Sequence, residues 1–226
     1  MPSHANRIDP KLRRHDLAYV SSAAWRSLLE TREDLATDPL VVQWVDRGWP
    51  LIARRATPGE AGGVPLGLPL PPFAGKRRIS LLMQSDDIFS IAPPPQLNAC
   101  ISVAPLPWEH TLREVASLAS RHDIEPRVFG SLAWQMLTGL AYLTDSSDLD
   151  LLLPVSRSSD LIRLTAELAA IDAMAPMRLD GELVRDDGAG VNWRELHADV
   201  DDVLLKTSDG ITLQKANLFL SSEIPS

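Results

Sequence analysis

One stretch constrains the fold of this chain more than any other: VFGSLAWQMLTGLAYLTDSSDLDLLL, from Val128 to Leu153. It opens on a short β-compatible run ending in Gly-Ser and continues through an apolar segment with helical spacing. It closes on a strand-like run that carries Asp148 and Asp150. Period-two geometry puts both carboxylates on one face of that strand. Two like charges so close destabilise each other unless something positive sits between them, so a divalent cation is their natural partner. The plainer alternative is that Asp148 ends a turn and Asp150 lies on a solvated edge. Gly130 permits close backbone approach at the strand-to-helix turn, where a helix N-terminus offers N–H groups and positive dipole to a phosphate. Ser131 would equally serve as an N-cap. Taken together, the Gly-Ser turn and the aspartates set a phosphate cradle beside a carboxylate pair, which suits metal-assisted transfer at phosphorus.

A third carboxylate is usually wanted for such chemistry. In RLDGELV, Asp180 and Glu182 share a strand face, with Gly181 leaving room between them. Either residue would serve, Asp180 being preferred; a solvated antiparallel strand explains both equally well. Other chemistries lack their residues. The five histidines have no zinc-type spacing, and Cys100, the single cysteine, has no partner. No GxSxG elbow, GxGxxG or P-loop is present.

With 226 residues, 45% of them hydrophobic and 23% charged, the chain reads as a soluble globular protein with one generous core or two small ones. No apolar run approaches the roughly 18–20 residues that span a bilayer, and the N-terminal segment around His4 has no apolar signal core. A cytoplasmic protein with Cys100 as a buried structural thiol is expected. The net charge of −8 argues against a general nucleic-acid binder. Basic residues nevertheless cluster at Arg13-Arg14, Arg54-Arg55 and Lys76-Arg77-Arg78, either as solvated faces or as local anion sites.

A Pro-rich segment, Ala92 to Pro95, divides the chain into an expected small α+β domain, residues 1–92, and a second domain, residues 96–226. In the first, helices are expected at Ala23–Glu30 and Asp38–Gly48, with Asp38 as cap, and strands at Trp49–Arg55 and Arg77–Gln84. Gly63–Pro72 reads as a loop. In the second, a helix follows Thr111, which forms a capping box with Glu114, and its apolar face is Leu112, Val115, Leu118 and Ala119. Further strands are expected on either side of Asp187-Gly188 and of Ser208-Asp209-Gly210.

The Gly-Ser, helix, Asp-x-Asp order resembles the nucleotidyltransferase superfamily, whose polymerase-β-type core holds a metal on such a strand. In order, RRHDLAYV, GWPLIARR, LGLPLPPFAGKRRIS, the long stretch quoted above, RLDGELV and VNWREL resemble the malonate decarboxylase holo-acyl-carrier-protein synthases, which are phosphoribosyl-dephospho-CoA transferases. The likeness runs from about Arg13 to Lys215. It departs from shorter superfamily members in the long interval between Ser131 and Asp148, expected to lengthen the helix. The resemblance implies an α+β protein whose second domain is of polymerase-β type with a mixed sheet. It also implies transfer of the prosthetic group from 2′-(5″-triphosphoribosyl)-3′-dephospho-CoA to a serine of the malonate decarboxylase acyl-carrier subunit, with release of pyrophosphate. Asp148 and Asp150 would then bind Mg²⁺, Gly130 and Ser131 would cradle phosphates, and Asp180 or Glu182 would complete the site or take the serine's proton. Lys76, Arg77 and Arg78, and as a further candidate Lys206, would bind substrate phosphates or dock an acidic carrier. A sister enzyme serving another acceptor, such as the citrate lyase carrier, and an inactive binding module are the alternatives.

Overall fold

The computed structural model of the chain describes residues 12–156, 158–208 and 210–221, so that His4 and Asp209 lie outside the described residues. Two compact units form. One comprises the residues up to Leu70 with Arg78–Pro93; the other comprises Pro71–Arg77 with Pro94 onward. The class is α+β, as expected.

In the first unit β1 (Leu17–Val20), β2 (Leu51–Ala53), β3 (Val64–Pro69), β4 (Arg78–Met83) and β5 (Ile88–Ala92) make an antiparallel sheet in the order β4-β3-β2-β1-β5. Helices α1 (Ser22–Thr31), α2 (Glu33–Ala36) and α3 (Pro39–Val42) follow β1. Buried Trp25 and Trp44 donate their indole N–H groups to the carbonyls of Val41 (3.1 Å) and Pro50 (2.9 Å), so neither large ring leaves an orphaned donor. Asp38 caps α3 by accepting from Leu40 N–H at 3.0 Å, but the helix stops at Val42 and the chain continues as turns to Gly48. The β-branched pair Val41-Val42 is a weak helix former, and Trp44 is held to Pro50 instead.

The segment Gly63–Pro72 is not a loop, because β3 occupies most of it. Its prolines mislead for a physical reason. Proline cannot donate to a ladder, yet β2 pairs only with Leu66 and Gly67, and Pro65 only accepts on that side, from Arg54 N–H at 3.1 Å.

The second unit is built on a six-stranded mixed sheet in the order β11-β10-β9-β8-β7-β6. Its strands are β6 (Arg127–Phe129), β7 (Leu149–Pro154), β8 (Leu179–Val184), β9 (Gly190–Asn192), β10 (Asp202–Lys206) and β11 (Ile211–Lys215). Only β7 and β8 run parallel, joined by the crossover helix α7 (Leu161–Asp172), which Asp160 caps. Helices α4 (Leu97–Cys100), α5 (Glu109–Arg121), α6 (Gly130–Thr138), α8 (Trp193–His197) and α9 (Ala216–Ser221) complete it.

Leu112, Val115, Leu118 and Ala119 are buried along α5, as their spacing predicts. The capping box is absent, however. The helix starts at Glu109, and Thr111 is buried inside its first turn. Leu149, Leu151 and Leu153 of β7 join Leu179 and Leu183 of β8 and the apolar faces of α5 and α7 in one core. Each buried leucine contributes roughly 1.5–3 kcal/mol, so a one-residue slip of β7 would cost several such terms and bury Asp150 instead. That preference fixes which sheet face carries the polar side chains. Cys100 is fully buried, and burial pushes its thiol up to about 11. No described helix is long and apolar enough to cross a membrane.

Candidate active site

The face of the mixed sheet away from this core gathers most of the carboxylates read from the sequence. Asp150 lies on β7 beside Asp180 on β8, paired in parallel register, and Asp148 immediately precedes β7. All three are half-buried. Neighbouring strands lie about 4.8 Å apart, and two carboxylates about 5 Å apart repel by roughly 3 kcal/mol at an effective dielectric near 20.

Gly130 is packed directly against this row. β6 pairs with β7 so that Phe129 opposes Asp150, and the chain then turns into α6 at Gly130 with φ +66°. A Cβ at Gly130 would lie 1.8 Å from Asp150 Oδ2. Glycine is required there both for the left-handed backbone and for the space. Ser131 is the second residue of α6 rather than its cap; Phe129 occupies the cap position, and no side chain caps this helix start.

The helix itself is shorter than expected, ending at Thr138 with Gly139 at φ +71°. The long interval is filled by a loop, which Gln135 secures. Its side-chain carbonyl accepts from Tyr142 N–H (3.2 Å) and Leu143 N–H (3.3 Å), while its amide donates to Val103 O (2.7 Å). A turn in which Thr144 N–H bonds Ser147 Oγ at 2.9 Å then delivers Asp148 to the strand.

The two further candidates, Glu182 and Lys206, pair with each other. Glu182 is 5% exposed, and Lys206 Nζ donates to its Oε1 at 2.9 Å. Gly181 does not serve to separate Asp180 from Glu182. It lies on the core side, where an added Cβ would meet Trp193 Cδ1 at 3.0 Å. Lys206→Met leaves the Glu182 carboxylate without this cation and is expected to cost about 3 kcal/mol in urea unfolding. Adding Glu182→Leu should recover most of that loss, because an apolar pair needs no compensating charge.

Lys76, Arg77 and Arg78 are all exposed at the turn between β3 and β4; Lys76 and Arg77 belong to the second compact unit and Arg78 to the first. Two residues of the sheet face escape a reading by motif. Arg178, exposed, directly precedes β8, and the burial alternation of Met177, Arg178, Leu179 and Asp180 sets it on the Asp180 face. Asn192, at the end of β9, donates its amide to Asp180 Oδ1 at 2.7 Å. Its place before WREL marks it as a helix cap, but a bond across twelve residues leaves no local signal.

The donor set consists of oxygens alone, the chemistry of Mg²⁺ or Mn²⁺ rather than zinc. Among the described residues no group of three or more His, Cys, Asp and Glu is gathered as a ready metal cage. A carboxylate pair beside the uncapped start of α6 still fits Mg²⁺, which is commonly held by one or two carboxylates plus substrate phosphates.

Comparison with known proteins identifies the family. Residues 13–94 match the family model "Phosphoribosyl-dephospho-CoA transferase MdcG N-terminal domain", and residues 96–217 match the corresponding C-terminal domain model. A phosphoribosyl-dephospho-CoA transferase of Bradyrhizobium diazoefficiens is 50% identical over 208 residues, covering 92% of each chain. Its counterpart in Xanthomonas campestris pv. campestris is 37% identical over 201 residues, 88% of this chain and 92% of that one. The Pseudomonas putida protein of the same name is 34% identical over 164 residues, 72% of this chain and 77% of that one. No solved structure gives a significant match. The chain is therefore a transferase and belongs to the phosphoribosyl-dephospho-CoA transferase family.

Proposed function

We propose that the polar sheet face of the second unit is where this enzyme transfers phosphoribosyl-dephospho-CoA from its 5″-triphosphate donor to a serine of the malonate decarboxylase acyl-carrier subunit. The observation that carries this reading is the juxtaposition of Asp150, Asp180 and the Gly130 helix start. The serine oxygen attacks the α-phosphorus, the bond to the bridging oxygen of the β-phosphate breaks, and pyrophosphate leaves with that electron pair. Asp148 and Asp150 would hold Mg²⁺, which when bound would supply positive charge against the triphosphate and the leaving pyrophosphate. The uncapped first turn of α6, at Gly130 and Ser131, accepts a phosphate through its backbone N–H groups. Arg178 adds a guanidinium on the same face, and Lys76, Arg77 and Arg78 are cations for the donor's phosphates or for an acidic carrier. The carboxylate row supplies the acceptor for the serine's proton. The nucleophile comes from the partner, in keeping with a face that carries carboxylates and an anion cradle.

Incubation with donor, Mg²⁺ and apo carrier, read by intact mass, tests the reaction and the acceptor together. The expected result is a mass gain on the malonate decarboxylase carrier, matched by an equal amount of pyrophosphate. A gain on the citrate lyase carrier alone would overturn the acceptor. No gain on either, with no pyrophosphate, would overturn the reaction.

A further inference from the structure

Asn192 answers two demands at once. Its Oδ1 accepts from the backbone N–H of Arg194 at 2.9 Å, which caps α8, and its Nδ2 donates to Asp180 Oδ1 at 2.7 Å. The first bond fixes the second. A backbone N–H is always a donor, so the amide oxygen must face Arg194 and the NH₂ must face the carboxylate.

Arg194 in turn cannot drift. Its guanidinium bonds Asp172 Oδ1 at 2.7 Å and the Leu179 carbonyl at 3.1 Å, and it lies 4.5 Å from the Trp193 ring centre. Asp172 Oδ1 also accepts from Leu179 N–H at 2.9 Å, and Trp193 Nε1 donates to the Leu179 carbonyl at 3.3 Å. The start of α8 and the start of β8 are thus bolted together, with Asn192 and Asp180 on the two sides of the joint.

We propose that Asn192 is a positioning residue for the transfer reaction. It holds one oxygen of Asp180 so that the other is presented toward Asp150, as the third oxygen donor when cation and phosphates arrive. The inference rests on the metal site proposed above and deepens it. The chemistry selects asparagine in particular. An aspartate at 192 would set oxygen against oxygen, an alanine would neither cap α8 nor hold Asp180, and a serine would cap α8 but stop one bond short of Asp180. Partners that orient metal-ligating side chains typically contribute 10–100-fold in affinity or activity.

The test uses the full chain and Mn²⁺ as probe, comparing wild type, Asn192→Ser and Asp150→Ala in a paramagnetic titration, with urea unfolding and steady-state transfer alongside. Asn192→Ser is expected to keep its urea midpoint, since the cap survives, yet to bind Mn²⁺ about 10-fold more weakly. Its kcat at fixed, subsaturating metal should fall to a similar extent with the donor KM within about twofold. Asn192→Thr, a second capping variant, gives the same readings if the serine protein is unstable. Mn²⁺ affinity and kcat near the wild-type values in both variants would overturn the positioning role. If Asp150→Ala loses Mn²⁺ while the Asn192 variants keep it, only the Asn192 inference falls. If Asp150→Ala also binds normally, the metal reading itself has failed.

Discussion

Asp150→Asn is expected to slow transfer about 10³-fold, equivalent to roughly 4 kcal/mol of transition-state stabilisation. The fold should remain intact, with stability changed by less than about 1 kcal/mol. The asymmetry follows from where Asp150 stands. Its neighbours along β7, Leu149 and Leu151, supply the burial that holds the strand, whereas Asp150 itself is half-buried among carboxylates. An amide of the same shape relieves repulsion with Asp180 but offers a cation one weak oxygen in place of a charge. Steady-state rates at several Mg²⁺ concentrations, beside urea unfolding, check both halves of the expectation. A normal rate would remove Asp150 from the chemistry. A large loss of stability would make it structural.

Gly130→Ala should be nearly as damaging to transfer and, unlike Asp150→Asn, damaging to the fold. An L side chain at φ +66° costs about 1–2 kcal/mol. The added methyl would also lie 1.8 Å from Asp150 Oδ2 and 2.6 Å from its Cγ, so either the carboxylate or the helix start must move. Displacement by about 1 Å near the reacting atoms is enough for roughly a 10²-fold loss.

Gly139 separates the two effects. It caps the other end of the same helix at φ +71°, but an added Cβ there meets nothing within 4 Å. Gly139→Ala is therefore expected to cost about 1–2 kcal/mol in urea with transfer unchanged. Equal activities for the two alanine variants would mean that the contact between Gly130 and Asp150 does not matter to the reaction.

The parts of the site that repeat locally were legible in the sequence. The β6, Gly-Ser and β7 pattern, the apolar face of α5 and the cap at Asp38 are readable because periodicity and capping act over a few residues. The choice between Asp180 and Glu182 was not legible, since it depends on partners far along the chain. Asp180 meets Asn192, and Glu182 meets Lys206 two strands away. Gly181 carried a similar ambiguity, because its space serves Trp193 on the opposite face of the sheet. Strand β3 was hidden by Pro65 and Pro69, although β4 pairs along its whole length; on the β2 side the register covers only Leu66 and Gly67, and Pro65 has only to accept there, from Arg54 N–H. The end of α6 was misread for the opposite reason. LAYL continues the apolar run past Gly139, but a left-handed glycine and the Gln135 side chain turn the backbone into a loop.

The most direct measurement is a crystal structure of the full chain with Mg²⁺ and pyrophosphate. The expected result is a cation held by the carboxylates of Asp148 and Asp150, with the pyrophosphate against the backbone of Gly130 and Ser131. Pyrophosphate held elsewhere, for instance at Lys76, Arg77 and Arg78 alone, with Asp148 and Asp150 free of metal, would contradict it.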